Sequence, residues 1–264
     1  MKLAKKPIDA LAQLLLELAQ SHSQPEIVLI GGQALYLWAS RYLIDEMTLE
    51  EFAHVTSFDL DFFGKKNAIE QCAESWGGTF KLPGFEDFTP QSGKIALEDE
   101  DGHPVSIDFL GQVDGISDSD LHKGLDLIPL SYGGKVVDVP LLSPPLCLQA
   151  RIYNSLHRGY SKERYVREIV RVGLAIKATR YYIADLLDAR GAKPGLKILK
   201  YLEKIMMSRD ARRLYRGHGI SVLDAIPVEH PVWPDAFREQ QYPRLLVRQR
   251  GFAKTQCLPE IKAP

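Results

Sequence analysis

Two aspartates interrupt an apolar run in the segment "TSFDLDFFG". Side chains two residues apart on a strand point to the same face, so an extended segment presents Asp59 and Asp61 together and turns its apolar side chains to the opposite face. Two like charges held this close repel each other unless a cation lies between them. The segment therefore predicts a sheet strand that carries a cation site.

A third aspartate lies in a similar setting. In "PVSIDFLG", Asp108 interrupts a second apolar strand, and the longer segment "GKIALEDEDGHPVSIDFLG" has the pattern of a hairpin with a "DEDG" turn. If this strand pairs with "FDLDFFG", the carboxylates of Asp59, Asp61 and Asp108 converge on one sheet. Burying three anions together is prohibitive without compensation, which hard cations with oxygen ligands provide. We therefore expect a site for Mg²⁺.

Composition bounds the class of protein. The chain has 264 residues, of which 45% are hydrophobic and 25% are charged, as in ordinary soluble proteins. No apolar run reaches the roughly 18 residues of a membrane span, and charges interrupt the apolar stretch near the N-terminus. The three cysteines are scattered, so neither a disulfide framework nor a zinc site is indicated. We expect a cytoplasmic protein that does not associate with a membrane.

The charge is distributed unevenly. Residues 1–150 contain 10 Lys and Arg against 23 Asp and Glu, a net charge of −13, whereas residues 151–264 contain 23 against 11, a net charge of +12. An acidic half suits cations, and a basic half attracts a polyanion such as nucleic acid or a nucleoside triphosphate. The alternative interpretation of this uneven charge is that two oppositely charged lobes attract each other.

The two halves also differ in predicted secondary structure. The first half alternates short strands and helices: "EIVLIGG" is a strand, "QALYLWASRYLI" a helix, "IDEMTLEEFAH" an acidic helix, and "NAIEQCAESWGG" a further helix. Two hairpins follow, the second turning at Gly133 and Gly134. Beyond "SPP" the chain is helical and basic, and the proline-rich segment from Pro227 is predicted to be irregular. We predict an α+β protein with a small mixed sheet in residues 1–145, followed by a helical basic domain in residues 146–264 with an irregular C-terminal tail.

The order of these motifs resembles that of a known family. "GGQAL" at residues 31–35, "SFDLD" at residues 57–61 and the strand-borne Asp108 follow the pattern of the polymerase-beta-like nucleotidyltransferases. In that pattern a strand, a Gly-Gly or Gly-Ser turn, a helix, Asp-x-Asp and a later aspartate follow one another. Within the superfamily the sequence looks most like the AbiEii-like nucleotidyltransferases, toxins of abortive-infection and type IV toxin–antitoxin systems. The resemblance covers about residues 25–160 and implies a polymerase-beta-like nucleotidyltransferase lobe followed by a helical lobe.

The resemblance implies an enzyme that moves a nucleoside monophosphate from an NTP to a hydroxyl acceptor, such as the 3′ end of a tRNA, with Mg²⁺ or Mn²⁺. Asp59 and Asp61 then bind the metal that carries the β- and γ-phosphates. Together with Asp108 they hold a second metal, and Asp108 helps to deprotonate the acceptor hydroxyl. A cognate antitoxin is an expected partner.

Four further residues are expected to bind the triphosphate. Gly31 and Gly32 let the phosphates approach the backbone where a helix begins, so that its N–H groups face them. The resemblance implies that the Ser57 hydroxyl bonds a phosphate oxygen and that Arg151 lies against the triphosphate.

Three alternatives stay open at this point. The acids of "FEDF" and "GKIALEDED" loosely suggest a two-metal nuclease. A catalytically silent binding or regulatory subunit with the same fold is the alternative from another class. The basic helices indicate nucleic-acid binding through Arg164, Arg167 and Arg171, or else solvated faces with tyrosines in the helix core.

Overall fold

The structure, a computed structural model, describes residues 2–4, 6–21, 26–56, 59–84, 86, 89–157 and 161–253. The chain divides into two compact units, Met1–Leu37 with Val55–Cys147 and Trp38–His54 with Leu148–Pro264. The predicted domains, residues 1–145 and 146–264, stay a prediction, because these units are groups of contacts rather than parts tested for independent folding.

The first unit contains a mixed sheet of eight strands among the described residues, in the order β1-β5-β6-β3-β2-β8-β7, with β4 paired to β5. The strands are β1 (Lys2–Leu3), β2 (Val28–Leu29), β3 (Leu60–Phe63), β4 (Thr79–Lys81), β5 (Gln91–Asp99), β6 (Pro104–Leu110), β7 (Leu125–Tyr132) and β8 (Lys135–Leu142). Strand β3 runs parallel to β6 and antiparallel to β2, while β2 runs parallel to β8. The prediction of an α+β protein with a mixed sheet before a helical half is confirmed, although the sheet is larger than predicted.

Both predicted hairpins are present. Strands β5 and β6 pair antiparallel, as do β7 and β8. Gly133 and Gly134 form the second turn with φ of 57° and 75°. Two consecutive positive φ angles favour glycine and match the twist of the flanking strands.

The described residues form helices α1 (Pro7–Gln20), α2 (Gly31–Leu43), α3 (Leu49–Val55), α4 (Lys66–Trp76), α5 (Asp118–Lys123), α6 (Pro144–His157), α7 (Lys162–Arg190), α8 (Ala192–Met207), α9 (Arg209–His218) and α10 (Tyr242–Ala253). Helices α2, α3 and α4 confirm predicted helices, including the acidic one. None of the helices in the described residues has both the length and the apolar character needed to cross a membrane.

An aromatic cluster forms the core of the first unit. The rings of Phe62 and Phe109 lie 5.7 Å apart, and each lies 6.3 Å from the ring of Trp76. The Trp76 indole N–H donates a hydrogen bond to the carbonyl oxygen of Leu14 at 2.9 Å. This cluster joins strands β3 and β6 to helices α1 and α4.

The second unit differs from the sequence prediction near its C-terminal end. The basic stretch after Gly191 is divided at Ser208, whose hydroxyl caps α9 by accepting a hydrogen bond from the Ala211 N–H. The prediction of an irregular tail is wrong for Tyr242–Ala253, which form α10. A π-helical turn at Phe237–Gln241 leads directly into α10, next to Pro243, which lacks the backbone N–H that a regular helix would use.

We expect Trp76→Ala to lower the free energy of unfolding by about 3–5 kcal/mol, because it leaves a cavity among buried rings. Urea denaturation followed by circular dichroism measures the change. Phe80→Ala is the control, because the Phe80 side chain is 45% exposed and should cost far less. Equal losses in the two variants would contradict a core centred on Trp76.

Candidate active site

The pairing of β3 with β6 brings two of the predicted aspartates together. Asp61 is the register partner of Asp108 on parallel strands. Register partners on neighbouring strands are about 4.8 Å apart and project to the same face. The flanking Phe62 and Phe109 are buried in the aromatic cluster, so the two carboxylates occupy the other face. The strand pairing on which the convergence of the carboxylates depended is therefore present.

The remaining acid lies at the edge of this pair. Asp59 precedes β3 by one residue and is exposed. Ser57, predicted to bind a phosphate oxygen, lies outside the described residues. The carboxylates of Asp59, Asp61 and Asp108 do not offer three oxygens, one from each residue, that all lie within 4.8 Å of one another.

In the part of the chain that the structure describes, the cluster that meets this distance is Asp99, Asp101 and His103, in the turn between β5 and β6. The Asp99 carboxylate accepts hydrogen bonds from the backbone N–H groups of Asp101 and His103, at 2.9 and 2.8 Å. The bond from the His103 N–H lowers the pKa of Asp99. These bonds fix the turn and account for the clustering without a ligand.

Lys94 and Gln91 complete the surroundings of Asp108. Lys94 on β5 is the register partner of Asp108, and its Nζ lies 3.1 Å from Asp108 Oδ1. The Gln91 amide donates to the same oxygen at 3.1 Å. The sequence analysis missed both residues, although the register of the predicted hairpin could have identified Lys94. Lys94 supplies one positive charge to the pair of carboxylates.

Gly31 packs against the Asp61 carboxylate at the start of α2. It has φ of 68°, and a Cβ added there would lie 2.3 Å from Asp61 Oδ2. The preceding residue, Ile30, donates its N–H to the carbonyl oxygen of Asp61 at 2.9 Å. The sheet therefore presses the first turn of α2, including the buried Gly32, against the strand that carries the aspartates. Only glycine fits this approach.

Arg151 belongs to the second unit, where it is buried. Its Nη1 lies 3.3 Å from Glu168 Oε2, and the other Glu168 oxygen lies 2.8 Å from Arg171 Nη1. Arg171 Nε also donates to the carbonyl oxygen of His54 at 2.8 Å. Burial, together with the charge of Arg151, lowers the pKa of Arg171. Two arginines thus share one glutamate, and the predicted contact of Arg151 with a triphosphate stays a prediction.

No protein-family model and no curated protein matches this chain. Among solved structures, an antigenic nucleotidyltransferase-like protein from Paracoccidioides brasiliensis is similar at 16% identity, with a TM-score of 0.41, over 75% of this chain and 95% of that one. JHP933 from Helicobacter pylori is similar at 15% identity, with a TM-score of 0.33, over 91% of this chain and 88% of that one. Both TM-scores lie below 0.5, so the chemistry of the site is argued from its own residues.

The donor set suits a hard divalent cation. Asp59, Asp61 and Asp108 offer carboxylate oxygens, the ligands that Mg²⁺ and Mn²⁺ prefer. Asp61 and Asp108 are both partly exposed, so solvent and a ligand can reach them. The chemistry of these side chains therefore suits the predicted metal, and the metal site itself stays a prediction.

We expect Gly31→Ala to displace the Asp61 carboxylate and to strain a positive φ, the latter costing about 1–2 kcal/mol. Any activity that depends on Asp61 should fall roughly 100-fold, as for a catalytic group moved by about 1 Å. Gly102→Ala is the matched control, because Gly102 has φ of 82° and nothing lies within 4 Å of an added Cβ. If both variants lose the same stability and neither loses activity, the contact with Asp61 has no functional role.

Proposed function

We propose that the protein is a metal-dependent nucleotidyltransferase that moves a nucleoside monophosphate from an NTP to a hydroxyl acceptor. The in-register pairing of Asp61 with Asp108 carries this proposal. It holds two carboxylates side by side, next to a glycine turn that opens a helix, which is an arrangement suited to phosphate and metal together.

Asp59, Asp61 and Asp108 are the residues that would hold Mg²⁺ or Mn²⁺. A bound cation would neutralise the carboxylates and the triphosphate and lower the pKa of the acceptor hydroxyl. Lys94 remains beside Asp108 and provides positive charge on the side of the site formed by β5.

Asp108 is the proposed base. It accepts the proton of the acceptor hydroxyl while that oxygen forms a bond to the α-phosphorus. The bond from the α-phosphorus to the bridging oxygen breaks, and pyrophosphate leaves. Gly31 and Gly32 provide room and N–H groups for the phosphates, and Ser57 and Arg151 are further proposed triphosphate contacts.

The acceptor proposed is an RNA, such as the 3′ end of a tRNA, and the biological role proposed is that of a toxin with a cognate antitoxin. The net charge of +12 on residues 151–264 supports a polyanionic acceptor. The toxin role rests on the resemblance of the motifs to the AbiEii-like proteins.

One observation favours a second candidate, a catalytically silent binding subunit of the same fold. The Lys94 ammonium already neutralises Asp108, as a lysine in a site without metal would. Both candidates predict nucleotide binding, and only the first predicts transfer.

We expect Asp61→Asn to abolish transfer and to leave stability unchanged or slightly higher, because it relieves repulsion between neighbouring carboxylates. Incubation with each α-³²P-labelled NTP, Mg²⁺ and total bacterial RNA, followed by a denaturing gel, measures transfer. The control is Asp126→Asn, which changes a partly buried strand aspartate of β7 outside the site.

Label on a discrete RNA band with the wild type and the control, but not with Asp61→Asn, supports the proposed function. Shortened RNA would instead establish a nuclease. Nucleotide binding without any labelled product would favour the silent subunit, and full activity of Asp61→Asn would reject the metal mechanism.

We expect Lys94→Gln to raise the affinity for Mn²⁺ about two- to fivefold, because an exposed ion pair worth up to about 1 kcal/mol no longer competes for Asp108. Electron paramagnetic resonance of free Mn²⁺ measures the affinity without any need for activity. Lys81→Gln is the control, because Lys81 is exposed on the adjacent strand β4. An unchanged or weaker affinity in Lys94→Gln would show that Asp108 does not bind the metal.

A further inference from the structure

Four lysines form a stripe along one face of helix α8. Lys193, Lys197, Lys200 and Lys204, here named the α8 lysine stripe, are all exposed. Their spacing places them within about 60° of one another around the helix axis and over about 16 Å of its length. The stripe is therefore a continuous line of positive charge.

The opposite face of α8 is occupied by the core of the second unit. Leu199, Leu202, Ile205 and Met206 are each at most 7% exposed. A helix that binds a membrane surface inserts an apolar face, and α8 has none to offer. The stripe is thus suited to a polyanion that stays in water.

The positive charge of this region is not neutralised locally. Residues 192–218 contain eight Lys and Arg but two acids, Glu203 and Asp210. Each acid already has a partner on another helix, since Glu203 lies 2.8 Å from Arg248 and Asp210 lies 2.8 Å from His157. Across the described residues, Lys193, Lys197 and Lys200 form no salt bridge.

Helix α7 offers less to a partner than its sequence indicates. Arg171, one of three arginines predicted to contact nucleic acid, is 8% exposed and paired with Glu168. Its positive charge is neutralised by Glu168 inside the unit and is not presented to a partner. Lys193, Lys197 and Lys200 of α8, which are exposed and form no salt bridge within the described residues, are the better placed cations.

We propose that the α8 lysine stripe is a docking surface for the phosphate backbone of an RNA. One strand of a nucleic-acid helix carries a phosphate for about every 3.4 Å of its axis, so a stripe of 16 Å can follow several phosphates. Lysine ammonium groups contact phosphates without reading bases, and the surface is therefore independent of sequence. The claim that this surface binds the RNA acceptor of the transfer reaction rests on the proposed function. The claim that it binds RNA does not depend on that function.

The test compares two variants of the full chain that lose the same charge. The stripe variant is Lys193→Gln/Lys197→Gln/Lys200→Gln, and the control is Lys65→Gln/Lys123→Gln/Lys135→Gln, whose lysines are exposed in the first unit. Glutamine and lysine have similar helix propensity, so α8 should persist, which circular dichroism checks. Fluorescence anisotropy with a short fluorescein-labelled single-stranded RNA, without nucleotide, measures binding between about 50 and 200 mM KCl.

We expect the stripe variant to bind at least about tenfold more weakly and its plot of log K against log salt to be shallower by about 2, which corresponds to three lost phosphate contacts. The control should match the wild type. Equal losses in both variants, or an unchanged salt slope, would overturn the proposal. Equal competition by polyglutamate at the same charge, or binding to phosphatidylglycerol vesicles in preference to RNA, would also overturn it.

Failure of this inference is distinguishable from failure of the proposed function. Stripe-dependent binding of RNA by a protein that transfers no nucleotide upholds the docking surface and rejects the enzyme. Transfer to RNA at an unchanged acceptor KM by the stripe variant rejects the docking surface and upholds the enzyme.

Discussion

The repulsion between two neighbouring carboxylates is the constraint around which the first unit is organised. Asp61 and Asp108 are register partners, and the same strands bury Phe62 and Phe109 on their other face. The aromatic contacts fix the register, because a shift of one residue would turn the aspartates into the core and the rings into water. Packing on one face therefore imposes an electrostatic cost on the other, and that cost is what the proposed cation would relieve.

The surroundings of the carboxylates follow from this pairing. Lys94 reaches Asp108 because β5 pairs with β6 in a hairpin, and Gly31 lies against Asp61 because β2 pairs with β3. Each contact comes from the strand on a different side of the aspartate pair. The site is thus held by backbone pairing on both sides, which is a rigid arrangement for groups that must keep a defined spacing.

The second unit handles charge in two ways. Arg151, Glu168 and Arg171 are buried together, where each charge depends on the others because desolvation penalises an isolated ion. Lys193, Lys197 and Lys200 are instead exposed on α8 and unpaired within the described residues. The buried group belongs to the interior of the unit. The exposed lysines can attract a polyanion over a distance that the ionic strength of the solution sets.

Local sequence patterns were sufficient to identify most of the elements of the first unit and the acidic side chains that they carry. Alternating apolar residues, turn glycines and interrupted strands predicted both hairpins, the helix after Gly31 and the strand-borne Asp61 and Asp108. These signals are readable because they act over a few neighbouring residues. Three other features were not readable in this way: Gly31 lies against Asp61, Arg171 is buried, and residues 242–253 are helical. Those outcomes depend on packing between segments far apart in the chain, which local periodicity does not encode.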